Sequence, residues 1–142
     1  MEIVFKSNLA TLRYNPEYSL VYLEWHGHPS FEQYKAPFLY LISDFKRPIT
    51  GILADIRKQG IVGQEIRKWV QQEVGPRAKE RGLKFYYIVS DGNIFKQYYI
   101  NVVFTLLQGA DLVDRKFFQE FDKCEAAIIQ QIASQKTRVV TL

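Results

Sequence analysis

The chain has 142 residues, of which 47% are hydrophobic and 24% are charged. That length suits a single domain with a buried core, and the apolar fraction excludes an intrinsically disordered chain. Its 19 Lys and Arg against 15 Asp and Glu leave a net charge of +4 and form no long run, whereas nucleic-acid-binding proteins usually have a concentrated basic face. The residues that approach such a face are Arg77, Lys79, Arg81 and Lys84, and a solvated helix end is favoured there over a phosphate-binding patch.

The first part of the chain predicts an antiparallel meander. Strands are predicted over Ile3–Phe5, Leu9–Tyr14 and Leu20–Trp25. They are rich in apolar and aromatic residues, and in the last two successive side chains fall on opposite faces, as in a pleated strand. Asn15 and Pro16 mark the turn between the second and third of these strands. Short turns of this kind join neighbouring strands that run antiparallel.

A helix and a strand are predicted next. Ser30 and Gln33 have the spacing of a capping box, which starts a helix over Phe31–Phe45. Pro37 falls within this helix and is expected to bend it or to delay its start. The strand residues of Ile49–Ile56 follow.

The next segment predicts an interrupted helix and a central strand. The apolar face of the helix carries Ile66, Trp69, Val70 and Val74. Gly75 and Pro76 interrupt the helix, and Gly82 ends the short helical piece that continues beyond them. Lys84–Val89 is apolar on both faces, as expected for a central strand that is covered on two sides.

Four more segments complete the pattern. Phe95–Gln108 predicts a helix that is apolar almost all round. Arg115–Phe118 predicts a short strand, and Asp122–Ser134 predicts an amphipathic helix. The remaining residues, Thr137–Leu142, form either a frayed tail or an edge strand.

This order of elements predicts one α/β domain over residues 1–142, without a linker or an internal repeat. Because alternating strands and helices need crossover connections, the later strands are expected to be mostly parallel. The meander then lies at one edge of a single mixed sheet, with helices packed on the sheet.

Five segments carry a resemblance that extends over nearly the whole chain. They are Val21–Gly27, Ile52–Arg57, the interrupted helix from Trp69 to Lys84, Tyr87–Val89, and Phe117–Phe118 leading into Glu125–Ala127. Their order and spacing resemble bacterial STAS-like domains, which are related to anti-sigma-factor antagonists and more distantly to CRAL-TRIO lipid-transfer folds. The resemblance implies the fold and a partner-binding role.

The regulatory switch of those antagonists is missing. They carry a phosphorylatable serine, preceded by aspartate, at the start of the helix after the aspartate-containing strand, and the added charge releases the partner. The corresponding stretch here, Lys58–Glu65, contains no Ser, Thr or Tyr. A phosphoserine switch at that position is therefore excluded.

Polar residues that follow two of the strands form a candidate loop site. Asp55 and Lys58 follow one strand, and Asp91 and Asn93 follow another. Ligands of open α/β sheets bind beyond the carboxyl ends of the strands, so Asp55, Lys58 and Asp91 would meet if the two strands are neighbours. A phospho-acceptor site would need a further pair of acidic residues, which the sequence does not offer. Ordinary turn and capping roles are therefore favoured for the residues of this candidate site.

No residue pattern predicts catalysis, a metal site or a cofactor. His26 and His28 flank a glycine without the additional ligands of a zinc site and are interpreted as surface histidines. Cys124 lies among small apolar residues and is interpreted as a core residue rather than a nucleophile. The chain also has no Gly-x-Ser-x-Gly elbow and no glycine-rich phosphate loop. We therefore expect no enzymatic activity.

The apolar helix over Phe95–Gln108 predicts the most informative surface. Its candidate interface residues are Phe95, Tyr98, Tyr99, Val102, Val103 and Phe104. A helix that is apolar on every side must be covered on more than one of them. Internal burial, docking of a second copy or another protein, and a role as the wall of an apolar ligand pocket all remain open.

The cysteine and hydropathy patterns predict the cytoplasm. A single cysteine excludes an internal disulfide, the N-terminus is too short and polar for a signal peptide, and the longest uncharged stretch, Gln97–Ala110, is too short to span a bilayer. The expected function is a non-enzymatic protein-interaction module without a cofactor, in bacterial transcriptional or signalling regulation, that binds a protein partner or its own copy. The alternative is a carrier of small apolar ligands or lipids of the CRAL-TRIO type.

Overall fold

Six β-strands form one sheet in the computed structural model, which describes residues 1–60, 63–93 and 113–141. The strands are β1 (Glu2–Lys6), β2 (Ala10–Asn15), β3 (Leu20–Trp25), β4 (Gly51–Asp55), β5 (Phe85–Val89) and β6 (Asp114–Phe118). They lie side by side in chain order; β1 to β3 pair antiparallel and β3 to β6 pair parallel. The predicted fold class is confirmed, with the antiparallel meander at one edge of a mixed sheet.

Helices connect and cover the strands. They are α1 (Phe31–Leu39), α2 (Gln64–Trp69), α3 (Gly75–Glu80) and α4 (Phe121–Thr141), with π-helical turns at Tyr40–Asp44 and Val70–Val74. The predicted capping box starts α1: the Gln33 N–H donates to Ser30 Oγ at 3.2 Å, and the Ser30 N–H donates to Gln33 Oε1 at 2.9 Å. Gly82 follows α3 with a φ of 89°, the left-handed conformation that commonly ends a helix.

The first helix differs from its prediction at the C-terminal end. Pro37 lies inside α1 and does not delay its start. The α-helical geometry ends at Leu39 instead of Phe45, and the chain continues as the π-helical turn Tyr40–Asp44. The Phe45 N–H closes this turn by donating to the Tyr40 carbonyl at 2.9 Å.

Two later helices also have bounds that the sequence pattern did not predict. The interruption of the second predicted helix is the π-helical turn Val70–Val74, and α3 begins directly at Gly75. A proline in the first turn of a helix needs no hydrogen-bond acceptor for its nitrogen. The last helix continues past Ser134 to Thr141, because no glycine or proline follows to stop it.

The sheet is covered on both faces, and the side chains of β3 show how the two cores are separated. Val21, Leu23 and Trp25 belong to the core beneath α1, α2 and α3, whereas Leu20 and Tyr22 belong to the core beneath α4. This alternation is the period of a pleated strand. The helix α4 packs on β4, β5 and β6.

A glycine in β4 lets α4 lie close to the sheet. The helix buries Cys124, Ile128 and Ile132, which recur every four residues on one face. A Cβ atom at Gly51 would lie 3.2 Å from the terminal methyl carbons of Ile128 and Ile132. The close approach of the helix therefore depends on a residue without a side chain.

Candidate functional site

The candidate loop site lies at the carboxyl ends of the parallel strands. Asp55 is the last residue of β4, and Asp91 follows β5 closely. The two strands are neighbours, with Asp55 opposite Val89 in the ladder. The Ile56 N–H donates to the Val89 carbonyl at 2.9 Å, so the pairing with β5 continues one residue past the end of β4.

Asp55 forms an ion pair with Arg57, a residue that the sequence pattern did not identify as its partner. The Asp55 side chain is only 9% exposed. Oδ1 accepts from Arg57 Nε at 3.0 Å and from the Arg57 backbone N–H at 3.1 Å, and Oδ2 accepts from Arg57 Nη2 at 2.7 Å. This hydrogen bond raises the pKa of the Arg57 guanidinium. The arrangement is the bidentate fork that arginine forms with carboxylates, and it uses both carboxylate oxygens.

The other three residues of the candidate site lie in exposed turns. Lys58 is exposed in the turn after β4 and joins no ion pair within the part of the chain that the structure describes. Asp91 and Asn93 are exposed, and the Asn93 N–H donates to Asp91 Oδ1 at 3.0 Å. That bond is an Asx turn, in which a side chain satisfies a nearby backbone donor. Over residues 1–60, 63–93 and 113–141, no hydrogen bond or ion pair joins Asp55 to Lys58 or Asp91.

Both histidines are exposed and hydrogen-bonded. His26 Nε2 lies 2.7 Å from Thr11 Oγ1. His28 Nδ1 lies 3.1 Å from the Gln59 carbonyl oxygen, and because a carbonyl only accepts, Nδ1 carries the hydrogen. Among the described residues no three His, Cys, Asp or Glu side chains are grouped as metal ligands.

Two potential nucleophiles are buried. Cys124 has no exposed surface, and burial raises the pKa of its thiol to about 12. Such a thiol is protonated near neutral pH and is a poor nucleophile. Ser90 is 3% exposed and holds the one buried side-chain polar atom without a hydrogen-bond partner in the described ranges. Ser90 directly follows β5, and its backbone N–H donates to the Phe118 carbonyl at 2.9 Å.

Among the basic residues Arg77, Lys79, Arg81 and Lys84 at the end of α3, Arg81 has a structural role. Arg81 donates from Nη1 to the Leu41 carbonyl at 2.8 Å, and from Nη2 to the Phe45 carbonyl at 2.7 Å and the Arg47 carbonyl at 3.1 Å. Its guanidinium therefore satisfies carbonyls at the end of the first helical connection. It is not a free cation on a phosphate-binding face.

A small apolar cleft lies between α1 and α3. Its lining includes Phe38, Leu41, Val74 and Ala78, and it holds about 20 Å³. A volume of that size accommodates a single water molecule, whereas pockets for drug-sized ligands have about 300–1,000 Å³. This cleft is therefore too small to hold a lipid chain.

The candidate interface at Phe95, Tyr98, Tyr99, Val102, Val103 and Phe104 lies outside the described residues. Within the described ranges, the large apolar side chains that are exposed are Met1, Ile3, Leu39 and Phe117. No helix in those ranges is long and apolar enough to cross a membrane.

Comparison with known proteins yields one informative similarity. No model of a known protein family matches the chain, and no curated protein matches it significantly. The structure is similar to that of an uncharacterized protein of the DUF3478 family with a SpoIIAA-like fold from Shewanella loihica PV-4, with 18% sequence identity and a TM-score of 0.53. The similarity covers 86% of this chain and 97% of the other. The chain thus has a SpoIIAA-like fold, in agreement with the STAS-like resemblance of its sequence.

Proposed function

We propose that this chain is a non-enzymatic STAS-like module that acts by protein–protein contact in bacterial transcriptional or signalling regulation, in the cytoplasm. The observation that carries the proposal is the bidentate ion pair between Asp55 and Arg57 at the strand ends. Open α/β sheets bind their ligands at this edge. Here the buried carboxylate at that edge is committed to a neighbouring guanidinium, which favours a function carried by an outer surface.

The aromatic content of the sequence supports a contact role. Tyr98, Tyr99, Val102 and Phe104 fall within one short apolar segment. Aromatic side chains dominate the energetics of protein interfaces because they bury a large area with few rotatable bonds. We assign these residues as the anchors of the contact, with a second copy of the chain or another protein as the occupant.

The proposal is tested with three forms of the full chain: the wild type, Tyr99→Ser/Phe104→Ser, and Asp55→Asn. Light scattering at rising concentration measures self-association, and a two-hybrid screen against the genome of the source organism identifies a protein partner. We expect association by the wild type and by Asp55→Asn, and its loss in the double variant with an unchanged circular dichroism spectrum.

Three outcomes contradict the proposal. The first is a wild-type chain that stays monomeric and has no partner in the screen. The second is loss of association in Asp55→Asn alone, which would make the strand ends the functional site. The third is unfolding of the double variant, which would make the segment core instead of interface. Retention of an apolar molecule in native mass spectrometry would favour the carrier instead.

A further inference from the structure

We draw no further inference here: the strongest candidate, the buried Ser90 hydroxyl directly after β5, carries nothing because it is one isolated polar atom and nothing in the part of the chain that the structure describes shows what lies against it.

Discussion

At the scale of single residues, the pairing of Asp55 with Arg57 decides the character of the strand ends. A buried carboxylate needs compensation by a cation or by several hydrogen-bond donors. Arg57 supplies both, because it lies two residues away and its fork reaches both oxygens of Asp55. The residue that the sequence analysis considered, Lys58, has only a single ammonium and lies in the exposed part of the turn.

Replacement of Arg57 should therefore destabilise the protein more than replacement of its neighbour. We expect Arg57→Met to lower the free energy of unfolding by about 1–3 kcal/mol, because it leaves the Asp55 carboxylate without its main partner. Lys58→Met is the matched control and should change it by no more than about 0.5 kcal/mol. Urea denaturation measures both.

The double variant Asp55→Asn/Arg57→Met extends this test. It should recover part of the loss, since the uncompensated charge is gone. Equal stability of Arg57→Met and Lys58→Met would show that the pair contributes nothing.

At the scale of elements, Arg81 joins two helical connections that each contain a π-helical turn. The last carbonyls of a helical segment receive no hydrogen bond from within the helix and need donors from elsewhere. Arg81, just past α3, donates to the carbonyls of Leu41, Phe45 and Arg47 around the end of the first π-helical turn. One side chain thus holds the two connections side by side on the same face of the sheet.

We expect Arg81→Met to lower the free energy of unfolding by about 1.5–3 kcal/mol, the range for hydrogen bonds that involve a charged group. Lys79→Met removes an exposed cation from α3 and serves as the control, with a change within about 0.5 kcal/mol. Thermal or urea unfolding gives the values. A loss as small as that of the control would mean that water replaces the guanidinium without cost.

At the scale of the whole molecule, the sheet has one face covered by α1, α2 and α3 and another on which α4 packs. The packing of α4 on the sheet depends on Ile128 and Ile132, which are 0% and 1% exposed. A hydrogen bond from the Tyr22 hydroxyl to Glu125 Oε2 at 2.7 Å also joins the helix to β3. Loss of packing at this one helix should therefore loosen the core on that whole face.

Ile128→Ala should cost about 2–5 kcal/mol in unfolding free energy, because it leaves a cavity between α4 and the sheet. It should also speed alkylation of the buried Cys124 by iodoacetamide, since local opening of the helix exposes the thiol. Ile129→Ala, a half-buried neighbour on the same helix, is the control and should have a smaller effect on both measurements. An alkylation rate equal to that of the control would argue against local opening.

Much of the fold could be predicted from local patterns. The alternation in β2 and β3 indicated both their extent and their faces, and the spacing of Ser30 and Gln33 indicated the start of α1. The order of strands and helices indicated a mixed sheet with parallel later strands, because crossover connections leave few topologies. These features depend on side chains that lie within a few residues of one another.

The candidate site was less accessible to such reasoning. The sequence identified Asp55 and considered Lys58 and Asp91 as residues that could meet it, while favouring ordinary turn and capping roles. The structure pairs Asp55 with Arg57, which that reasoning did not name as a partner. Arg57 lies only two residues after Asp55 in the sequence. Only the backbone path after Asp55 decides which of the two neighbouring cations can reach the carboxylate.

By itself, the sequence determined the class of the fold, the faces of its strands and the absence of a serine in the stretch Lys58–Glu65. The tertiary structure alone decided that Arg81 holds the end of the first helical connection and that Arg57 pairs with Asp55. For Arg81 the physical reason is distance along the chain. The acceptors of Arg81 are backbone carbonyls 34 to 40 residues away, and a carbonyl that every residue possesses leaves no pattern in a sequence.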